Sequence, residues 1–98
     1  MNISTSSEGS KQIINIQGRF DFSVQADFRQ AYEGAPSSNT FVLNFASADY
    51  MDSSALGMLL LLRDYAGGDD AKIELTNCRS EITNILEISN FQKLFKIS

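Results

Sequence analysis

Histidine and tryptophan are absent from this 98-residue chain, and cysteine and proline occur once each. Without histidine there is no Ser-His-Asp triad and no imidazole ligand for a metal. The single cysteine, Cys78, has no partner for an internal disulfide, and on its own reads as a small buried residue. Basic residues are also few. Eight lysines and arginines face twelve acids, for a net charge of −4, which argues against binding nucleic acid or an anionic membrane surface through bulk electrostatics. The apolar run Ala55–Leu62 is well short of the roughly 20 residues that cross a bilayer. The polar start "MNISTSSEGSKQ" lacks the apolar stretch of a secretory signal. A cytoplasmic location is the default expectation.

What is present describes an ordered domain. Apolar residues make up 43% of the chain and charged residues 20%, and this length supports one core but not two. Residues 1–98 are therefore read as one domain. "KQIINIQ" alternates with period two, and "EGS" before it suggests a hairpin turn at Gly9. "GRFDFS" is expected to break this strand. Asp21 or Ser23 then caps a helix carrying Val24, Phe28, Ala31 and Tyr32 on one face. Gly34 and Pro36 end it.

"TFVLNF" reads as a central strand covered on both faces, with "ASADYMD" as the loop after it. A second helix is expected from about Ser54 to Ala66, stopped by Gly67 and Gly68. "AKIELTN" alternates again, a third helix follows Arg79 and Ser80, and "NFQKLFKIS" closes with a helical turn and a short strand. The order β-β-α-β-α-β-α-β predicts an α/β fold with a mixed, mostly parallel sheet. About three to four helices are expected mainly on one face, leaving the other face only partly covered.

The second helix is apolar on two sides. At 100° per residue, Leu56, Leu59 and Leu60 form one stripe, while Met58, Leu61, Leu62 and Tyr65 form another with Gly57 at its flank. One stripe should face the sheet. The other is covered either by this fold or by a partner, and the sequence leaves both readings open.

"YMDSSALG" stands between the central strand and this helix, at the strand end where α/β folds collect functional groups. Asp52 or Ser53 is placed to cap the helix. A Ser-His-Asp hydrolase is excluded by the missing histidine, a Ser-Lys pair finds no lysine near the serines in sequence, and Met51 stands where a nucleophile elbow needs glycine. "AGGDDAK" lacks the spacing of a phosphate loop and ends a helix instead of opening one. Asp49, Asp52, Asp69 and Asp70 do not follow a calcium-loop pattern. No catalytic residue, cofactor or metal site is expected.

The segment "FVLNFASADYMDSSALGMLLLLRDYA" resembles the signature of the STAS domain, and within that family the stand-alone bacterial anti-sigma factor antagonists. "IINIQGRFDFSVQADFRQA" is similar to the family's strand, G-x-h-D and helix opening, and "NFQKLF" to its late aromatic-leucine segment. The likeness covers nearly the whole chain. It implies a non-enzymatic protein whose unphosphorylated form binds an anti-sigma factor with serine kinase activity and a histidine-kinase-like ATPase fold, so that the sigma factor is released. Phosphorylation at Ser53 would end that binding, and a PP2C-type serine phosphatase would restore it. By the same resemblance Ser54 is a capping neighbour and secondary candidate, Asp21 and Asp52 are flanking acids, and Asp52, Ser53, Ser54, Ala55, Gly57, Met58 and Leu61 meet the partner. Ala55 and Asn90 stand where many members have glycine. Other small STAS proteins suggest an alternative, a regulatory subunit of a membrane lipid-transport ABC ATPase, or a partner switch with a non-transcriptional output.

Overall fold

A computed structural model describes residues 2–98. Five strands form one sheet in the sequential order β1-β2-β3-β4-β5: β1 (Ile3–Glu8), β2 (Lys11–Phe20), β3 (Thr40–Met51), β4 (Ile73–Thr76) and β5 (Lys96–Ile97). Only β1 is antiparallel to its neighbour, joined to β2 by the expected turn at Gly9; the remaining pairs are parallel. The three crossovers are α1 (Gln25–Glu33), α2 (Ser53–Tyr65) and α3 (Ser80–Ile88). Crossovers of one hand through strands in sequential order place all three helices on the same face.

The core lies between that face and the helices. Ile14, Ile16, Phe20, Phe41, Leu43, Phe45, Ile73 and Leu75 point inward from the strands, and Val24, Phe28, Tyr32, Leu59, Leu62, Ile82 and Leu86 cover them. Edge-to-face aromatic contacts run through it, with Phe20 5.0 Å from Phe28 and 5.7 Å from Phe45 between ring centroids. Among the described residues Gln12 is the one buried polar side chain. Its amide donates to the Ala31 carbonyl at 3.0 Å and accepts from Ser7 Oγ at 2.7 Å, tying the strand pair to α1.

Two strand boundaries differ from the sequence reading. β2 continues through "GRF" to Phe20, and β3 continues through "ASADY" to Met51. Their pairing persists across register shifts between Asn15 and Gln17 and between Gly18 and Arg19. Both shifts place the extra residue in β3, whose inward residues run Phe45, Ala48 and Met51 at a spacing of three, while β2 keeps its even spacing from Ile16 to Phe20. Strict alternation therefore fails while the ladder goes on. Gly18, at φ +71°, supplies the left-handed backbone beside the second shift.

The expectation that "TFVLNF" is covered on both faces is also corrected. Phe41, Leu43 and Phe45 are buried, whereas Val42 and Asn44 are half-buried. On the face without helices, Asn44 donates to Asn15 at 3.1 Å and accepts from Asn77 at 2.9 Å. A polar ladder takes the place of a second helical layer there.

The helix ends follow local chemistry. Gly67, at φ +116°, turns the chain out of α2 into the 3-10 turn Gly68–Asp70, so "AGGDDAK" is a helix stop. Asn90 adopts φ +60° at the start of the turn Phe91–Lys93, a left-handed position that asparagine tolerates as glycine does. Cys78 is half-buried, and burial pushes its thiol up to about 11, which favours the protonated form at neutral pH.

Candidate functional site

β2 and β3 end in register, with Phe20 opposite Met51. An aspartate follows each of them. Asp21 has extended backbone and opens the 3-10 turn Phe22–Val24 that leads into α1; Asp52, equally extended, opens α2. Asp52 Oδ1 accepts the Ser54 amide at 3.1 Å, the Ala55 amide at 3.2 Å and the Ser54 hydroxyl at 2.6 Å. The cap is thus Asp52, not Ser53, and Ser54 is a donor to it. This division of labour leaves Ser53, the first residue of α2, exposed. Its Oγ stands at the N-terminus of a 13-residue helix, where free amides and the helix dipole favour added negative charge.

The hydrogen bond from the Ser54 hydroxyl, followed by those from the Ala55 and Ser54 amides, holds the Asp52 carboxyl below its ordinary value of 3.8. Asp21 is lowered in the same way, first by the Ser23 hydroxyl and amide and then by Arg19. A carboxyl lowered on folding adds stability above its unfolded value, and that stability is lost as pH falls through the folded value. We expect Asp52→Asn to lower the melting temperature at pH 7 and to flatten its fall below about pH 4. A melt series from pH 2 to 7 checks this; an unchanged acid slope would remove Asp52 from the linkage.

Arg19 joins the two acids. Its Nε donates to Asp21 Oδ2 at 3.1 Å, and its guanidinium carbon lies 3.8 Å from the centroid of the Tyr50 ring. The Tyr50 hydroxyl in turn lies 3.4 Å from Asp52 Oδ2. Arg19 and Tyr50 were not identified from the sequence, because their pairing depends on the bulged register that places Arg19 opposite Tyr50. Phe22, 68% exposed on the neighbouring turn, was also missed as a surface residue.

The remaining expected contact residues divide. Gly57 and Leu61 lie on the outer side of α2, and Leu61 is 49% exposed. Ala55 and Met58 are buried, so their side chains do not reach the surface. The inward face is Ala55, Met58, Leu59 and Leu62, which takes residues from both apolar stripes drawn on the sequence. The outward face carries Ser53, Gly57, Leu60 and Leu61. The Ala55 methyl, standing in the family's glycine position, fills core space and not the helix surface.

Among the described residues no group of side chains is placed to hold a metal ion, and no helix is long and apolar enough to cross a membrane. The family model described as "Mlab, STAS domain" matches residues 3–96. A STAS-domain containing protein of Pseudomonas aeruginosa (strain UCBPP-PA14) is 56% identical over 94 residues, which is 95% of this chain and 93% of that one. Among solved structures, an anti-sigma factor antagonist from Mycobacterium paratuberculosis superposes with a TM-score of 0.80 at 10% identity, covering 97% of this chain and 82% of that one. The anti-sigma factor antagonist SpoIIAA in its unphosphorylated form gives 0.75 at 16% identity, over 98% and 87% of the two chains. SpoIIAA of Bacillus in its phosphorylated form gives 0.68 at 19% identity, over 98% and 90%. At these identities the structures speak for the fold, and the sequence match speaks for the family. From its first strand to its last, this chain is a member of the STAS-domain family.

Proposed function

We propose that this domain is an anti-sigma factor antagonist that works as a partner switch, with Ser53 as its phosphorylation site. The observation that carries the reading is the separation of cap from acceptor: Asp52 and Ser54 close the helix end, and Ser53 stands beside them exposed. Its hydroxyl is not spent on the fold. In the proposed step, Ser53 Oγ bonds to the γ-phosphorus of ATP held by an anti-sigma serine kinase. The bond to ADP breaks, and the hydroxyl proton passes to a base of the kinase. A PP2C-type phosphatase reverses the change by hydrolysis.

The expected result is a single phosphate on the wild-type chain after incubation with the kinase and MgATP, read by intact mass, and none on Ser53→Ala. Ser53→Ala keeps its affinity for the kinase. A Ser53→Ala chain phosphorylated to full stoichiometry would sink the assignment. Binding to a transporter ATPase irrespective of the residue at 53 would instead favour the lipid-transport subunit, with the serine pair purely structural.

A further inference from the structure

The carboxyl edge of the sheet carries one local structure twice. Phe20 and Met51 are cross-strand partners. Each precedes an extended aspartate that accepts the amide and the hydroxyl of the serine two positions on: Ser23 for Asp21, and Ser54 for Asp52. In that alignment Ser23 matches Ser54, and Phe22 matches Ser53. The neighbouring turn therefore presents a phenyl ring where α2 presents its exposed serine. The turn Phe22–Val24 packs against α2, so the two stand side by side. Val24 supplies the turn's buried contact at 4% exposure, while Phe22 is 68% exposed. The fold makes little use of that ring.

We propose that Phe22 is an apolar anchor that seats the kinase over Ser53 and so helps to determine which partner docks. This rests on the partner-switch reading and adds the chemistry of the partner. The occupant is a protein surface with an apolar socket bordered by lysine or arginine. Asp21, Asp49 and Asp52 lie at this edge with Arg19, and Arg19 is already engaged by Asp21 and Tyr50. A basic rim complements that balance. A second copy of this chain, with net charge −4, would set the same acidic edge against itself. A buried aromatic offers large contact area at a small cost in rotamer freedom, and seating it fixes the position of the adjacent hydroxyl before transfer.

The test measures Kd by calorimetry and Ser53 phosphorylation kinetics by intact mass, using the serine kinase that modifies the wild-type chain and MgATP. Phe22→Ala is expected to raise Kd and KM at least about 30-fold, the range of an interface hot spot, with kcat at saturation retained. Phe22→Leu recovers most of the loss. Phe22→Ser, which makes the two turns alike in sequence, serves as a second truncation, and circular dichroism melts of all three should match wild type. Equal KM and Kd in wild type and both truncations, with Ser53 modified, overturn the anchor and leave the switch standing. A wild-type chain that no serine kinase binds or modifies overturns both. Wild-type self-association that disappears in Phe22→Ala assigns the ring to a second copy and also overturns the proposal.

Discussion

Phosphorylated at Ser53, the domain should bind the proposed anti-sigma partner at least about a hundredfold more weakly while melting at nearly the same temperature. The two halves of this result have separate causes. A phosphate adds about −1.5 to −2 charges and three strongly hydrated oxygens. At residue 53 it sits beside Asp52, whose lowered carboxyl is ionised at neutral pH, so the patch that must be desolvated on docking becomes much more anionic. A loss of about 3 kcal/mol at the interface corresponds to more than a hundredfold in Kd. The fold is spared because the phosphate stands at the start of α2, outside the hydrogen bonds that Asp52 makes to Ser54 and Ala55. There the helix dipole favours it. Calorimetry of the modified and unmodified proteins against the same partner measures the first half, and a thermal melt measures the second. Ser53→Asp, with less charge and fewer acceptors, should weaken binding by a smaller factor. Equal affinity of the two forms would refute the switch, whatever its modification state in cells.

Met58→Asp should unfold the domain, whereas Leu61→Asp should leave it folded. The two residues fall on one stripe of a helical projection, yet Met58 is 4% exposed and Leu61 is 49% exposed. Met58 joins Ala55, Leu59 and Leu62 on the face turned to the core. A carboxylate there is taken out of water against the core, and its burial costs more than about 4 kcal/mol. Domains of this size have a total stability of about 5–15 kcal/mol. Leu61 rests at the lip of a shallow crevice with Phe28, Arg29 and Tyr32, where an aspartate reaches water and costs about 1 kcal/mol. Urea titrations followed by circular dichroism separate the outcomes. A folded Met58→Asp with a normal denaturation midpoint would return Met58 to the surface.

The disagreement over α2 has a general cause. A helix rich in leucine shows its periodicity poorly, because apolar residues occupy most directions around its axis and no polar arc marks the outside. The stripes drawn from sequence straddled the true inner face, which runs through Met58, Leu59 and Leu62. The third helix is easier to read: Ile82, Ile85 and Leu86 stand at helical spacing, Ile82 and Leu86 buried and Ile85 half-buried, and Glu81, Asn84 and Glu87 mark its exposed side.

The sequence by itself determined the order of the elements, the hairpin, the helix stops at Gly34 and Gly67, and the position of the serine pair between strand and helix. Each of these rests on chemistry local to a few residues: alternation, a capping carboxylate, the left-handed angles of Gly9 and Gly67, and a glycine with proline beyond it after the first helix. Tertiary structure decided which side chains share a site. The bulges that keep β2 and β3 paired to their ends set Arg19 opposite Tyr50 and bring Asp21 level with Asp52. That register depends on contacts between segments about thirty residues apart, which no local pattern encodes. Packing against the sheet also turned Met58 inward and left Ser53 and Phe22 facing solvent.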